Sequence, residues 1–474
     1  MSDQPGADYR RRRYEMTSHE GIAHDDLASL GFDWSRAADP TMPARRPLVV
    51  YFPETAEEVA TIVRRCRERA EPFRIRSRGH SSNDLVLGGR EVSILCTEYL
   101  HAIDPPDTTG ETVRVQSGAV LSAVDRALAP LGFGLPVIGD HNHITAGGFA
   151  SVGGVSPASH REGMFIDNIV ALEYVDATGA PDRCAAADPI FARLVGGTGR
   201  FGVITALTLR IVRLDKRRQI LRNRRQLTGC FATFVKRSAA MIDDPHGAMM
   251  ERSMWFDLPL PFGGALTVGS VSRYESTEPA GWKTAWNAAM YGLLHTIGWF
   301  AGRLPGWCDR VLQYLGVVGV LVSPRYASVA NVEAFADKII DSSVGDPTRM
   351  FIVFPPAERY AEMVVAVDRL CRRYRERWGC FTFLWMYVKG VRSPYLARAA
   401  GDPTCEFSEI VMYHGVVPER LRGVLELFVG ELDDLCIAHG AFRYMHTRTV
   451  APGDPRRLRI DPNAALAART PPRP

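Results

Sequence analysis

The chain has 474 residues, enough for two domains sharing an interface, and its 46% hydrophobic and 23% charged residues are the balance of a soluble globular protein. A net charge of +4 is too small a bias to point to a nucleic-acid partner, and none is expected. Its nine cysteines include no C-x-x-C pair, which argues against a zinc site or a disulfide framework; no metal is expected, and a reducing cytoplasm is the expected compartment.

The basic residues are nearly all arginine, the only lysines being Lys216, Lys236, Lys283, Lys338 and Lys389, which reads as GC-rich and bacterial coding bias. Residues 1–40 read as a polar, partly helical lead-in. Arg10 to Arg13 are followed by a polar stretch rather than an apolar run, so no secretion signal is expected. Pro47–Phe52 is a short apolar strand. Thr55 and Glu58 then form a capping box, and Val59, Ile62, Val63 and Cys66 follow at helical spacing. Phe73–Arg76, Val92–Cys96 and Thr112–Gln116 read as strands, and Leu121–Leu128 as a helix ending at Gly132. Further on come a strand at Ile169–Val175, a turn at Asp176–Gly179, a helix opened by Asp188 and Pro189, and a strand alternating from Val203 to Ile211.

The character changes at the basic run Lys216–Arg225. From there to Ala438 strands (Met350–Phe354, Phe381–Val388, Ser408–His414) mix with amphipathic helices (Tyr360–Tyr374, Glu419–His439). Residues 291–322 are rich in aromatic and aliphatic side chains. Arg303, Pro305, Asp309 and Arg310 break them well short of the ~20 apolar residues a spanning helix needs. They read as two buried or pocket-lining helices and a strand at Gly316–Val322, and membrane association is not expected. The Pro/Arg tail at 470–474 reads as frayed.

Three segments can offer backbone amides to a phosphate: 76–81 (RSRGHS), 145–148 (TAGG) and 196–202 (GGTGRFG). The last contains a formal G-x-G-x-x-G, but it follows a helix and leads into a strand, the reverse of a nicotinamide-dinucleotide site. Each loop taken alone also fits an ordinary tight turn.

The ordered set resembles the FAD-binding domain of the vanillyl-alcohol oxidase and p-cresol methylhydroxylase (PCMH) family, most closely its cytokinin dehydrogenase branch. RSRGHS at 76–81 is similar to R-G-R-G-H-S. DHNHITAGG at 140–148 is similar to D-Y-L-x-x-T-V-G-G. The stretch 149–163 continues the likeness, and GGTGRFGVI at 196–204 is similar to G-G-L-G-Q-F-G-I-I. The resemblance implies an α+β chain with a two-part PCMH-type FAD-binding domain (1–214, core 46–212). An α+β substrate, or cap, domain follows at 215–440, and residues 441–474 return to the flavin domain. It implies FAD contacts from Arg76, Ser77, Arg78, Gly79, His80, Ser81, Thr145, Gly147, Gly148, Ser151, Gly154, Gly199, Gly202, Val203 and Ile204.

His80 matches the family histidine that bonds covalently to the flavin; the bland alternative is a loop histidine bonded to phosphate or ribose. Asp140 matches the carboxylate that takes a proton as hydride leaves the substrate, although Gly139-Asp140 is also a common turn pair. Tyr444 and His446 resemble polar groups of the family's closing segment, with a packed core tyrosine the alternative for Tyr444. Two departures stand out. Ser77 replaces a glycine, which would strain the loop if that position needs positive φ. His141 stands where doubly tethered relatives have cysteine, so one flavin bond is expected rather than two.

The function implied is an oxidoreductase taking a hydride from a C–N or C–O carbon of a small organic molecule, with molecular oxygen or another acceptor receiving the electrons. A flavoprotein of the same fold performing a net non-redox cyclisation or epimerisation is the alternative, and kinship alone does not name the substrate.

Overall fold

The computed structural model describes residues 48–79, 81, 85–86, 91–140, 143–260, 264–301, 317–319, 321, 323–334, 349–378, 383–403, 406–414, 422–444 and 453–469. The lead-in at 1–40, the tail at 470–474 and the residues His80, His141 and His446 lie outside them.

The described residues open with a parallel three-stranded sheet, ordered β1 (Val50–Tyr51), β3 (Ser93–Cys96), β2 (Phe73–Arg76). Helix α1 (Ala56–Glu68) crosses between β1 and β2 and buries Val59, Ile62, Val63 and Cys66. Its start is built as the capping pattern requires: the Glu58 amide donates to Thr55 Oγ1 at 3.1 Å. The reciprocal bond shifts by one residue, Glu58 Oε2 accepting from the Glu54 amide at 2.6 Å. β2 ends at Arg76 and so delivers the 76–81 loop at the end of this sheet.

A second, antiparallel sheet follows in the order β4 (Thr112–Gln116), β8 (Val203–Arg210), β6 (Ile169–Val175), β7 (Pro181–Ala185). β5 (Phe133–Gly134) pairs with β9 (Val212–Arg213). Helix α2 (Leu121–Leu128) has the limits its pattern predicts and buries Leu121, Val124 and Leu128. Short helices α3 (Ala146–Ala150), α4 (Ser159–Glu162) and α5 (Pro189–Leu194) connect the strands. Asp188 stands at the head of α5, but its carboxylate does not cap the helix. Oδ2 accepts from the Ala185 amide at 2.8 Å and closes the preceding turn instead.

The remainder forms an eight-stranded sheet. Its strands are β10 (Ile220–Thr228), β11 (Met250–Pro259), β12 (Ala265–Ser276), β13 (Tyr326–Ser328), β14 (Arg349–Phe354), β15 (Phe383–Arg392), β16 (Glu406–His414) and β17 (Phe442–Arg443). The order is β13-β10-β12-β11-β15-β16-β14-β17, antiparallel at the recorded pairings. The basic run is thus the entry to β10, with Arg224 paired to Glu275 of β12 at 2.6 Å.

Side chains alternate across this sheet with period two. One face buries Trp255, Phe351, Val353, Met386, Val388, Ile410 and Met412 beneath helices α6 (Phe231–Ile242), α9 (Tyr360–Trp378) and α11 (Arg422–His439). The opposite face presents Met254, Phe256, Tyr387, Val391, Phe407 and Val411, which share one continuous core with Leu172, Ile204 and Leu207 of the antiparallel sheet. The chain is therefore α+β, with the eight-stranded sheet laid against the part that carries the glycine-rich loops. Helix α7 (Gly281–Ala301) buries Tyr291 and Leu294, α8 (Val329–Glu333) buries Val329 and Val332, and α10 (Pro394–Ala400) follows β15.

One expected strand is not formed. Residues 317–319 and 321 are helical, with Val317 buried and Val318 exposed; a short apolar run does not by periodicity distinguish a strand from a buried helical turn. No described helix is long and apolar enough to cross a membrane. Finally α12 (Arg457–Ile460) and α13 (Pro462–Arg469) bring the chain back to the 196–202 loop. There Asp461 binds Arg200 at 2.8 Å, and the Asn463 amide donates to the carbonyls of Ala192, Arg193 and Val195.

Candidate active site

The three glycine-rich loops meet. The amide of Gly196 donates to Ala150 O at 2.8 Å and that of Thr198 to Ser151 O at 2.9 Å, tying the 196–202 loop to the end of α3. Gly147 donates to Ser117 O at 2.7 Å, so α3 also seats on the end of β4. Gly199, at φ +77°, lies over the Ile75 side chain of β2; a Cβ there would come within 2.6 Å of Ile75 Cδ1. Glycine is favoured at that position by its conformation, and a Cβ would also oblige the end of the Ile75 side chain to move. Arg78 bridges from the first loop, with Nη1 3.3 Å from His143 Nδ1 and Nε 3.3 Å from Glu98.

Individual residues divide by role. In the first loop Gly79 takes the left-handed turn (φ +69°), and a Cβ on it would collide with the buried Arg76 guanidinium. Ser77 does not have positive φ, so the serine that stands in place of glycine leaves the loop unstrained. The hydroxyls of Ser77, Ser81 and Ser117 are buried without a hydrogen-bond partner among the described residues. Ser117 carries no motif and escapes the sequence reading; only its approach to Gly147 marks it. Thr145 is buried, while Gly148 is exposed and meets only Thr145 Oγ1 within 4 Å of its absent Cβ. Ser151 Oγ donates back to Gly147 O at 2.7 Å.

Other expected contact residues also serve packing. Gly202 is needed because a Cβ would press within 2.9 Å of Val175 O, and the Val203 and Ile204 side chains enter hydrophobic cores. Gly154 donates its amide to Tyr444 Oη at 3.0 Å. Tyr444 is buried, stacked edge-on to Phe354, and burial drives its phenol well above the ordinary tyrosine range. It therefore anchors the Gly153–Gly154 turn to the eight-stranded sheet.

Asp140 follows Gly139, whose φ of +82° makes the turn. Its carboxylate crosses to the sheet: Oδ2 is 2.6 Å from Lys389 Nζ, and Oδ1 accepts from Tyr387 Oη at 3.4 Å. Lys389 is 2% exposed, lies 4.5 Å from the centre of the Tyr387 ring and reaches Glu409 Oε2 at 3.0 Å. Tyr387, Lys389 and Val391 share one face of β15, and Glu409 faces them from β16. Sequence reading missed Lys389, Tyr387 and Glu409. The available signal was a lysine retained in an apolar strand of an arginine-biased chain.

Glycine turns brought together beside the orphaned buried hydroxyls of Ser77, Ser81 and Ser117 suit a phosphate-bearing cofactor. The comparisons with known proteins agree. A sequence family described as an FAD binding domain matches residues 47–185. The chain carries an FAD-binding domain. This domain is of the PCMH type, and the chain's relatives are members of the vanillyl-alcohol oxidase and PCMH family. The chain is 28% identical to cytokinin dehydrogenase 5 of Arabidopsis thaliana, over 50% of its own length and 43% of the relative's. It is 29% identical to berberine bridge enzyme-like D-1 of Nicotiana tabacum, over 43% and 36%. With an alditol oxidase of a Streptomyces species the identity is 32%, over 34% and 38%. The matches thus span less than half the length of each of these relatives. The family match lies on residues 47–185, which hold most of the motif resemblance.

Proposed function

We propose that the chain is an FAD-dependent oxidoreductase that removes a hydride from a C–N or C–O carbon of a small organic substrate, its flavin tethered covalently through His80. Residues 1–214 and 441–474 then form the flavin-binding part and 215–440 the substrate part, with molecular oxygen or another acceptor taking the electrons. Bound FAD would supply the hydride acceptor. Arg76 through Ser81, Thr145 through Gly148, Ser117 and Gly199 are the residues that would hold it.

The observation that supports this reading best is the position of Asp140. It leaves the loop that precedes the Thr145–Gly148 cradle and meets Lys389 and Tyr387 on the sheet, with a quarter of its side chain exposed. A carboxylate fixed in this way can accept the proton of a substrate N–H or O–H as positive charge builds on the carbon losing hydride. Tyr387 and Lys389 donate to it and hold its orientation. Val391, Phe407 and Val411 supply apolar neighbours on the sheet face that carries Tyr387, Lys389 and Glu409.

Asp140→Asn keeps the shape and one acceptor but cannot take a proton. The expected outcome is unchanged flavin content with flavin reduction slowed by about 10²–10⁴-fold, the usual worth of a positioned base. The check is anaerobic mixing with a substrate found by screening amines, alcohols and secondary-metabolite precursors for flavin bleaching. A slowing under about threefold, far below that range, would return Asp140 to a turn residue. Flavin that stays oxidised with a substrate that is consumed would point instead to a net non-redox reaction.

A further inference from the structure

Within the trio of Asp140, Lys389 and Glu409 the charges do not cancel. Lys389 carries one positive charge in a nearly closed site, with Asp140 at 2.6 Å and Glu409 at 3.0 Å. Burial pulls the ammonium toward its neutral form, but the two carboxylates outweigh burial and hold Lys389 well above the ordinary lysine range. Glu409 is 4% exposed; burial raises its proton affinity and the Lys389 ammonium opposes that. Asp140, 25% exposed, is the member of the three with outward access.

We propose that Lys389 and Glu409 are positioning residues acting through Asp140: Glu409 neutralises Lys389, so the trio keeps one excess negative charge and delivers it at Asp140, the member a substrate can reach. The inference rests on the reading of Asp140 as the proton acceptor. Without Glu409, Lys389 and Asp140 would form a closed neutral pair with little tendency to take a proton. With it, a proton leaving a substrate N–H or O–H bonds to Asp140 and the trio passes from one net negative charge to none. The trio is then left with no net charge, and Lys389 keeps its own proton throughout. The hydride leaves separately, toward the flavin assigned above.

The other charged and titratable neighbours are accounted for. Tyr387 on β15 donates to Asp140, and burial keeps its phenol protonated. Arg252 on β11 is buried, hydrogen-bonded to Tyr274 Oη at 2.6 Å, and adds a positive charge that Asp140 also feels from outside the trio. Glu333 of α8, whose charge Asp140 also feels, shares Lys216 with Asp125, at 2.9 Å and 2.8 Å. Tyr444 stands within reach of the charges of Glu409 and Lys389 and is bonded to Gly154. On the same loop as Asp140, His143 is held by Arg78, which Glu98 pairs.

The chain's five lysines make the test direct. Flavin-loaded protein labelled with isotopic lysine gives one side-chain NMR signal per lysine, and that of Lys389 is assigned by its loss in Lys389→Met. The Lys389 signal should shift with pH through a midpoint that reports protonation of the trio. Glu409→Gln should move that midpoint down by about one pH unit or more, a tenfold change in proton affinity, with flavin content unchanged. Asp140→Asn, at a partly exposed position, should move it in the same direction and carries the test if Glu409→Gln does not fold. An unchanged midpoint in either variant overturns the proposal. No substrate enters the experiment, so the two readings separate. Slow flavin reduction in Asp140→Asn with an unchanged Lys389 midpoint sinks the trio and spares the proton acceptor. A shifted midpoint with normal reduction sinks the proton acceptor, and the catalytic role of the trio with it.

Discussion

Glu251 on β11 is fully buried; its Oε1 accepts the Gly390 amide at 3.1 Å, and Oε2 has no hydrogen-bond partner among the described residues. Burial pushes its carboxyl up to about 8, so near neutral pH the folded protein keeps it protonated. On the same side of Gly390 the buried His160 contacts Ala248 O at 3.1 Å, and burial pulls its imidazole down to about 4. The signs are opposite. The raised Glu251 favours the fold at low pH, and that advantage is lost as pH rises from the ordinary carboxylate value through about 8. The depressed His160 favours the fold above the ordinary imidazole value, and that advantage is lost as pH falls toward about 4. Where the two windows overlap the slopes oppose each other, and from near pH 6.5 to about 8 Glu251 lowers stability without opposition from His160, in the same direction as the similarly raised Glu333. Glu251→Gln should therefore flatten the loss of melting temperature between pH 6.5 and 8, a range set by the two groups' values. An alkaline limb as steep as wild type would place that loss on other groups. Gly199→Val probes the loop itself. A β-branched residue at positive φ, also pressed on Ile75, costs about 1–3 kcal/mol and should lower flavin absorbance per polypeptide together with stability.

Between elements, a buried polar staple joins α2, the entry to β10 and α8. Lys216 is 6% exposed in its side chain, with Asp125 Oδ2 at 2.8 Å and Glu333 Oε2 at 2.9 Å. Its removal strands two carboxylates, so Lys216→Met should cost about 3–5 kcal/mol in a denaturant titration. A cost near zero would show that water reaches the site. Lys216 opened the basic run in the sequence, and nothing there separated it from the exposed arginines that follow. Its burial is a tertiary fact. By contrast α2, β2, β4 and β6 have the limits that periodicity and turn residues predict, because local patterns determine them. The long hairpin of β11 and β12 was not singled out, since Glu251, Arg252 and Ser253 break the expected alternation by being buried on both faces. The loop half of the candidate site was legible from glycine spacing. The sheet half was not, because Lys389 and Glu409 are brought to Asp140 by strand register rather than by sequence spacing.

For the molecule as a whole, one hydrophobic core runs from Leu172 and Ile204 of the antiparallel sheet to Met254, Tyr387 and Phe407 of the eight-stranded one. The two parts are thus joined by an apolar interface, and the cradle of 76–81, 145–154 and 196–202 keeps a fixed position relative to Lys389. The return of α13 to Ala192, Arg193 and Val195 closes the arrangement. The central claim is that this arrangement holds an oxidising flavin, bonded to the chain through His80. Denaturation of the purified protein in acid tests it most directly. The yellow colour should remain with the precipitated polypeptide, and His80→Ala should release the flavin or leave the protein largely without it. Wild-type protein that frees all of its FAD on denaturation, or that purifies without flavin and binds none when FAD is added, would contradict the account.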